Sequence, residues 1–154
     1  LEFRRVLFRS AIKDYDLALL KIASPTPELV LARAALGPTT ADTLDIINLA
    51  LTRLGPAMTL ELRALSLEES LGRHDAALQR VDRLTANAER REGWLKRRGD
   101  ILNRAQRPAE ARAAYAAAMA ELERLPAWLR QSPDAIRLAA QLQQRLNSPS
   151  PDQP

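Results

Sequence analysis

Small and bulky apolar residues recur along this chain at helical spacing, with a period of about 34 residues. A small residue is followed four positions later by a bulky apolar residue, and usually by another small residue three positions after that. The clearest copies pair Ala77 with Val81 and Ala111 with Tyr115, and an earlier copy has Ile47 at the bulky position. Residues three and four positions apart share one face of an α-helix. The pattern therefore predicts equivalent helices in which a small residue admits a neighbouring helix and the bulky residue fills the space between repeats.

A second helical segment precedes each of these helices, over about residues 28–36, 58–71 and 92–105. The chain has only five Gly and no strand-like runs of Val, Ile and Thr, and it is rich in residues that favour helices. The stretches 26–28 and 132–134 are good helix starts, because each has a capping hydroxyl, then Pro, then an acid. The sequence predicts an all-α fold of about seven helices in antiparallel pairs over residues 11–147, without a sheet.

Residues 127–147 are predicted to form a capping helix on the last repeat, because a helical stack needs a polar-backed end. The residues expected to cover the repeat are Leu129, Ile136, Leu138, Leu142 and Leu146, and Trp128 is expected to pack in the core beside them. Arg145 is expected to face water. Residues 148–154 are rich in Pro and Ser and are predicted to be a disordered tail.

A helix–turn–helix repeat of about 34 residues resembles the tetratricopeptide repeat (TPR), whose pattern is W-x2-L-G-x2-Y, then A-x3-F, then P. The best copy has Trp94 one residue early, then Leu95, Arg98 in place of Leu, Gly99 and Leu102, with Ala111 and Tyr115 in the next helix. The resemblance covers about residues 11–126, with the first repeat truncated. It implies a short right-handed α-solenoid of antiparallel helix-pair repeats with a C-terminal capping helix.

The first ten residues, LEFRRVLFRS, differ in composition from the rest of the chain and hold both of its Phe residues. The segment resembles a sequencing adapter translated in frame, so residues 1–10 are expected to be non-native and are set aside. The other interpretation is a basic and aromatic arm that contacts nucleic acid or a membrane. Without residues 1–10 the net charge falls from +4 to +2. Bulk charge then gives little support to nucleic-acid binding.

The composition excludes several kinds of chemistry. The chain has no Cys, and therefore no disulfide, thiol nucleophile or Cys metal site. His74 is the single His and is interpreted as a solvated turn residue. No phosphate-binding Gly loop or nucleophile elbow is present, and no apolar stretch is long enough to span a membrane. The sequence thus predicts a protein without enzymatic activity, cofactor or metal, and it leaves the cellular location open.

The resemblance also implies where a ligand binds, because the first helices of tetratricopeptide repeats line a concave groove that holds peptides. The residues that map to this face are Arg63, Ser66, Glu69, Lys96, Arg97, Asp100, Asn103 and Arg104. The family's peptide-carboxylate clamp has Asn where this chain has Ser66 and Asp100, so that clamp is not expected here. The basic run at residues 90–98 is interrupted by acids and is most simply a mixed solvated face.

The expected function is therefore that of a non-enzymatic protein–protein interaction or scaffold module that binds an acidic peptide or protein surface. One alternative is an accessory repeat region of a larger protein with an upstream catalytic domain. Another is an RNA-binding helical repeat, which needs a base-reading side chain at one position of each repeat; Arg63 and Arg97 are only a twofold echo. No nucleic acid and no membrane insertion are expected. Self-association through the truncated N-terminal edge is a further expectation.

Overall fold

The computed structural model describes residues 2–22 and 25–148, with the side chains of residues 2–9 and 20 left out of the description. The described residues form helices and turns, with no strand. The helices are α1 (Glu2–Lys21), α2 (Pro27–Ala34), α3 (Thr40–Leu54), α4 (Met58–Ser70), α5 (His74–Ala86), α6 (Glu92–Arg104), α7 (Pro108–Glu123), α8 (Ala127–Arg130) and α9 (Pro133–Asn147). The all-α prediction is confirmed. These are nine helices in the described residues, where the pattern predicts about seven.

The predicted helix starts at residues 26–28 and 132–134 are confirmed. The Thr26 hydroxyl accepts a hydrogen bond from the Leu29 backbone N–H at 3.4 Å, and α2 begins at the following Pro. The Ser132 hydroxyl accepts from the Ala135 N–H at 3.3 Å, and α9 begins at Pro133. These bonds satisfy backbone donors that have no partner inside the helix, and Pro loses nothing at a position where its missing N–H has no helical partner.

The chain divides into two compact units, residues 1–71 and 72–154, and each is described by itself. In the first unit α2, α3 and α4 enclose one apolar core. Its buried members are Val30, Ala34, Leu44, Ile47, Leu60, Ala64 and Leu67. Ile47, the bulky residue of its repeat, is fully buried. The turn between α2 and α3 is closed by Thr43, whose hydroxyl donates to the Ala34 carbonyl at 3.1 Å.

In the second unit α6 packs against both α5 and α7, and α7 packs against α9. The small residues of the repeat lie where the pattern predicts, because Ala77 and Ala111 are both buried. The bulky positions Val81 and Tyr115 are buried as well. The repeat pattern therefore describes equivalent buried positions in α5 and α7.

α6 and α7 approach each other closely at Gly99. A Cβ atom on this residue would lie 2.6 Å from Cδ1 and 2.9 Å from Cζ of Tyr115, far inside normal contact distance. The ring of Tyr115 therefore rests directly on the backbone of α6. Gly99 is the position of the repeat pattern at which only a residue without a side chain leaves room for the neighbouring helix.

The turns that follow α4 and α6 share one backbone conformation. Gly72 has φ +68°, and Gln106, at the equivalent position of the next repeat, has φ +58°. Glycine adopts this left-handed region without steric cost, whereas a residue with a side chain does so at some expense. The repeat thus extends to the turn conformation, although the residue type differs between the two copies.

Residues 127–147 comprise two helices, the four-residue α8 and the longer α9, because Pro133 begins a new helix. Ala135 and Leu142 of α9 are fully buried, and Leu129, Leu138 and Leu146 are half-buried. The expectations for two other residues are wrong: Trp128 is 72% exposed and Ile136 is 59% exposed. Ile136 follows the buried Ala135 by one position, and one residue is a rotation of about 100° around a helix, which turns it away from the packed face. Trp128 lies on α8, which has no buried residue.

The ends of the chain bear on two further predictions. Residues 2–10, expected to be non-native, continue α1 without a break. Of the tail predicted to be disordered, residues 149–154 lie outside the described residues.

Candidate peptide-binding surface

Five of the eight predicted site residues lie on α6. Asn103 and Arg104 are exposed, and Lys96, Arg97 and Asp100 are half-buried. Because 96, 100, 103 and 104 are spaced by three and four positions, they lie on one face of the helix. The structure therefore brings four of these five residues together on one face of α6, whereas Arg97 is turned about 100° away from Lys96 around the helix.

Asp100 is the centre of a polar cluster that joins three helices. Its carboxylate Oδ2 lies 2.8 Å from Lys96 Nζ on the same helix. Its Oδ1 accepts a hydrogen bond from the Tyr115 hydroxyl of α7 at 2.9 Å and lies 3.8 Å from a terminal guanidinium nitrogen of Arg145 on α9. The backbone carbonyl of the same residue accepts from Arg104 Nε at 3.3 Å. We call these five residues the Asp100 cluster.

The Asp100 cluster carries more positive than negative charge. Lys96 and Arg145 bring two cations to the Asp100 carboxylate, and Arg104 brings a third to the backbone carbonyl of the same residue. Arg145 is half exposed and Arg104 is exposed, so both guanidinium groups reach solvent. The half-exposed guanidinium group of Arg145 is therefore accessible to an anion from solvent.

Tyr115 is held in its neutral form at the base of the cluster. Burial raises the pKa of its hydroxyl to about 12, and the hydrogen bond to Asp100 and the charge of that carboxylate act in the same direction. Arg145 and Arg104 oppose this shift. At physiological pH the hydroxyl is therefore a permanent donor to Asp100, which keeps the carboxylate oriented towards Lys96 and Arg145.

Arg97 lies beside a shallow hollow of about 310 Å³, which Arg90, Glu92, Gly93 and Trp94 also line. Glu92 is buried, and its carboxylate accepts a hydrogen bond from Arg90 Nε at 2.7 Å. The simple interpretation of the run 90–98 as a solvated face is thus wrong for Glu92. A pattern of alternating charges does not show which acid the packing covers.

A second cation of the basic run, Arg98, forms an ion pair at the surface. Arg98 Nε donates to Asp82 of α5 at 2.9 Å, and both side chains are partly exposed. This pair links α6 to α5 at the surface, and such exposed pairs contribute little to stability.

The other three predicted site residues lie on α4, in the first unit. Arg63 and Ser66 are exposed and Glu69 is half-buried. Their spacing of three places them along one side of α4. That they form one groove with the α6 residues stays a prediction.

His74 is not the solvated turn residue that the sequence suggested. It is the first residue of α5, it is half-buried, and its Nδ1 is buried without a hydrogen-bond partner in the described residues. Helical side chains lean towards the N-terminus and cover the turn before their own position, which explains how a residue next to a turn loses solvent.

Two members of the Asp100 cluster are not among the predicted site residues. The sequence pattern predicts Tyr115 as a space-filling residue and Arg145 as a water-facing one, although Arg145 extends to Asp100. The signal that could have indicated the first is its hydroxyl, because a buried Tyr normally finds a hydrogen-bond partner. No sequence signal indicates Arg145, since its contact depends on how α9 packs.

Two further findings concern other kinds of site. Within the described residues, no three His, Asp or Glu side chains come together in a way that could hold a metal ion. None of the helices described here combines the length and the apolar character needed to cross a bilayer.

The paired helices, the small residues at repeated contacts and the polar side chains along α6 define an α-helical repeat protein. The chain belongs to the tetratricopeptide repeat-like domain family, whose family model matches residues 52–137, more than half of the chain. The matched region includes α4 to α8 and begins within α3. The tetratricopeptide resemblance is thereby confirmed, and with it the class of protein-interaction helical repeats, which are typically non-catalytic. Neither a curated protein nor a solved structure matched the chain.

Proposed function

We propose that this chain is a non-enzymatic interaction module that binds an acidic peptide or protein surface through α6 and the Asp100 cluster. The observation that carries the proposal is the arrangement around Asp100, where Lys96 and Arg145 lie against the carboxylate and Arg104 donates to the backbone carbonyl of the same residue. The predicted site residues on α4 have no net charge of their own, so the preference for an acidic partner comes from the second unit.

The cluster suits an anionic partner because its cations are held in place before binding. Lys96 is held by the Asp100 carboxylate and Arg104 by the Asp100 carbonyl. Ordering a long side chain at an interface costs about 0.5–1.5 kcal/mol, so side chains that are already ordered retain more of the binding energy. A ligand carboxylate would share Lys96 and Arg145 with Asp100 and would relieve the repulsion between the cations.

The charge makes the proposal testable by comparing ligands. Fluorescence anisotropy would compare a labelled peptide of alternating Glu and Ala with one of alternating Lys and Ala, each at low and at physiological salt. We expect the acidic peptide to bind more tightly and its affinity to fall as salt rises, because salt screens exposed charges. Equal binding of the two peptides would refute the proposal, as would tighter binding of a single-stranded RNA oligonucleotide, which would favour the RNA alternative.

A matched pair of double variants locates the binding surface. Lys96→Gln with Arg104→Gln removes two cations of the cluster, and Arg83→Gln with Arg112→Gln removes two exposed cations from α5 and α7. Both double variants have the same net charge. We expect the first double variant to lower the affinity for the acidic peptide about tenfold, and the second to lower it by less than about twofold. Equal losses would show that binding depends on overall charge and not on the Asp100 cluster.

Glutamine is preferable to Glu at position 96 for a structural reason. Lys96 pairs with Asp100 four residues later, so a Glu there would place two carboxylates on the same helix face. The resulting loss of stability would obscure the effect on binding. Thermal melts of both double variants show whether the fold is retained.

A further inference from the structure

The first unit contains a cleft that shares no residue with the proposed peptide surface. It has a volume of about 320 Å³ and is formed by α1, α2 and α3. Its apolar lining consists of Leu19, Pro25, Val30, Ile46, Ala50 and Leu54, together with the half-exposed Leu49. Small-molecule sites are concave, mostly apolar and upwards of about 300 Å³. The cleft has the size and lining of such a site.

Three charged residues border the cleft: Asp16, Arg33 and Arg53. Arg33 Nε lies 2.6 Å from Asp16 Oδ1, and a terminal guanidinium nitrogen of Arg33 lies 3.5 Å from Oδ2. This two-point contact between α2 and α1 compensates the charge of Asp16. A carboxylate with an Arg partner on both oxygens exerts little repulsion on an incoming anion.

Arg53 is the charge in the cleft that is not compensated. It lies near the end of α3, is exposed, and has no hydrogen bond or ion pair within the described residues. Guanidinium groups bind carboxylates through two parallel N–H donors, and they do so best beside apolar surface, where water competes less. The cleft therefore combines an apolar floor with one available carboxylate-binding group.

We propose that this cleft binds a medium-chain carboxylic acid, with the alkyl chain on Leu19, Ile46, Ala50 and Leu54 and the carboxylate on Arg53. The complementarity of charge selects an acid over an alkyl cation, and the apolar lining selects an alkyl chain over a small polar acid. The cleft and the Asp100 cluster have no residue in common, so this proposal does not depend on the proposed function.

Isothermal titration of the full chain with decanoate, below the concentration of micelle formation, would test the proposal. Decyltrimethylammonium and decanol serve as probes of similar chain length with positive and no charge. We expect saturable binding of decanoate, weaker binding of decanol, and no binding of the cation. Absence of saturable decanoate binding, or equal binding of decanoate and the cation, would overturn the proposal.

Variants connect the binding to the cleft. Arg53→Gln should lower the affinity for decanoate about tenfold and leave the affinity for decanol unchanged, because it removes one charge-assisted contact. Arg83→Gln on α5 is the matched control and should leave decanoate unchanged. Ala50→Leu fills the cleft and should abolish binding of both decanoate and decanol; a thermal melt shows whether this variant folds. Decanoate binding that Arg53→Gln does not weaken would assign the ligand to another place and overturn the proposal even if Ala50→Leu fails to fold.

Discussion

The substitution Gly99→Ala tests whether α6 and α7 are as close as the structure shows. The added methyl carbon would lie 2.6 Å from Cδ1 and 2.9 Å from Cζ of the Tyr115 ring. The ring cannot easily move aside, because Tyr115 is 4% exposed and its hydroxyl is held by Asp100 at 2.9 Å. The helices must separate, or the ring must rotate and lose that hydrogen bond.

The expected magnitude follows from opposing contributions. Replacing Gly by Ala inside a helix is favourable by about 1 kcal/mol on propensity alone. Overpacking a tight core costs about 1–3 kcal/mol, and a lost hydrogen bond adds about 1 kcal/mol. We therefore expect Gly99→Ala to lower the free energy of unfolding by about 1–3 kcal/mol.

Gly93→Ala is a control in the same helix. A Cβ on Gly93 meets no atom within 4 Å, so this variant should be neutral or stabilised by up to about 1 kcal/mol. Urea unfolding followed by circular dichroism measures both variants. If both substitutions stabilise the protein equally, the close contact between Gly99 and Tyr115 does not exist.

A double variant separates the steric effect from other causes. Tyr115→Leu removes the ring, so Gly99→Ala should cost much less in that background than alone. Additive effects of the two substitutions would contradict the argument, since residues in direct contact couple and independent ones add.

Three further predictions follow from individual residues. Ala111→Leu should lower the free energy of unfolding in urea by about 1–3 kcal/mol, because Ala111 is buried. The control Ala113→Leu should change it little, because Ala113 is exposed. Equal effects of the two substitutions would contradict tight packing at Ala111. The raised pKa of Tyr115, about 12, means that its contribution to stability is present below pH 10 and is lost as the pH rises from 10 towards 12. The free energy of unfolding should fall by about 2 kcal/mol over that pH range, and Tyr115→Phe should abolish this fall. An equally steep fall in the Tyr115→Phe variant would refute the prediction. Trp128→Ala should change stability by less than about 0.5 kcal/mol because the side chain is 72% exposed; a loss of several kcal/mol would restore the interpretation of Trp128 as a core residue.

The local features of the fold could be predicted from the sequence because they depend on residues close to one another along the chain. The capping hydroxyls of Thr26 and Ser132 act on backbone groups three residues away. The buried positions Ala77 and Ala111 follow from spacings of three and four on one helix, which recur from one helix pair to the next. Helical periodicity carries such information directly, so the helix class, the repeat and its buried face required no structure.

The candidate sites were predictable only in part, because their geometry depends on which helices pack together and how closely. The sequence placed Lys96 and Asp100 on one face of a helix, and that pair is four residues apart. It could not show that Asp100 also receives Arg145 from a helix much later in the chain. The exposure of Trp128 likewise depended on the position of α8, and the apolar cleft beside Arg53 exists only where three helices meet. Contacts between distant segments are decided by tertiary packing, in which a small shift of one helix changes every partner along its face.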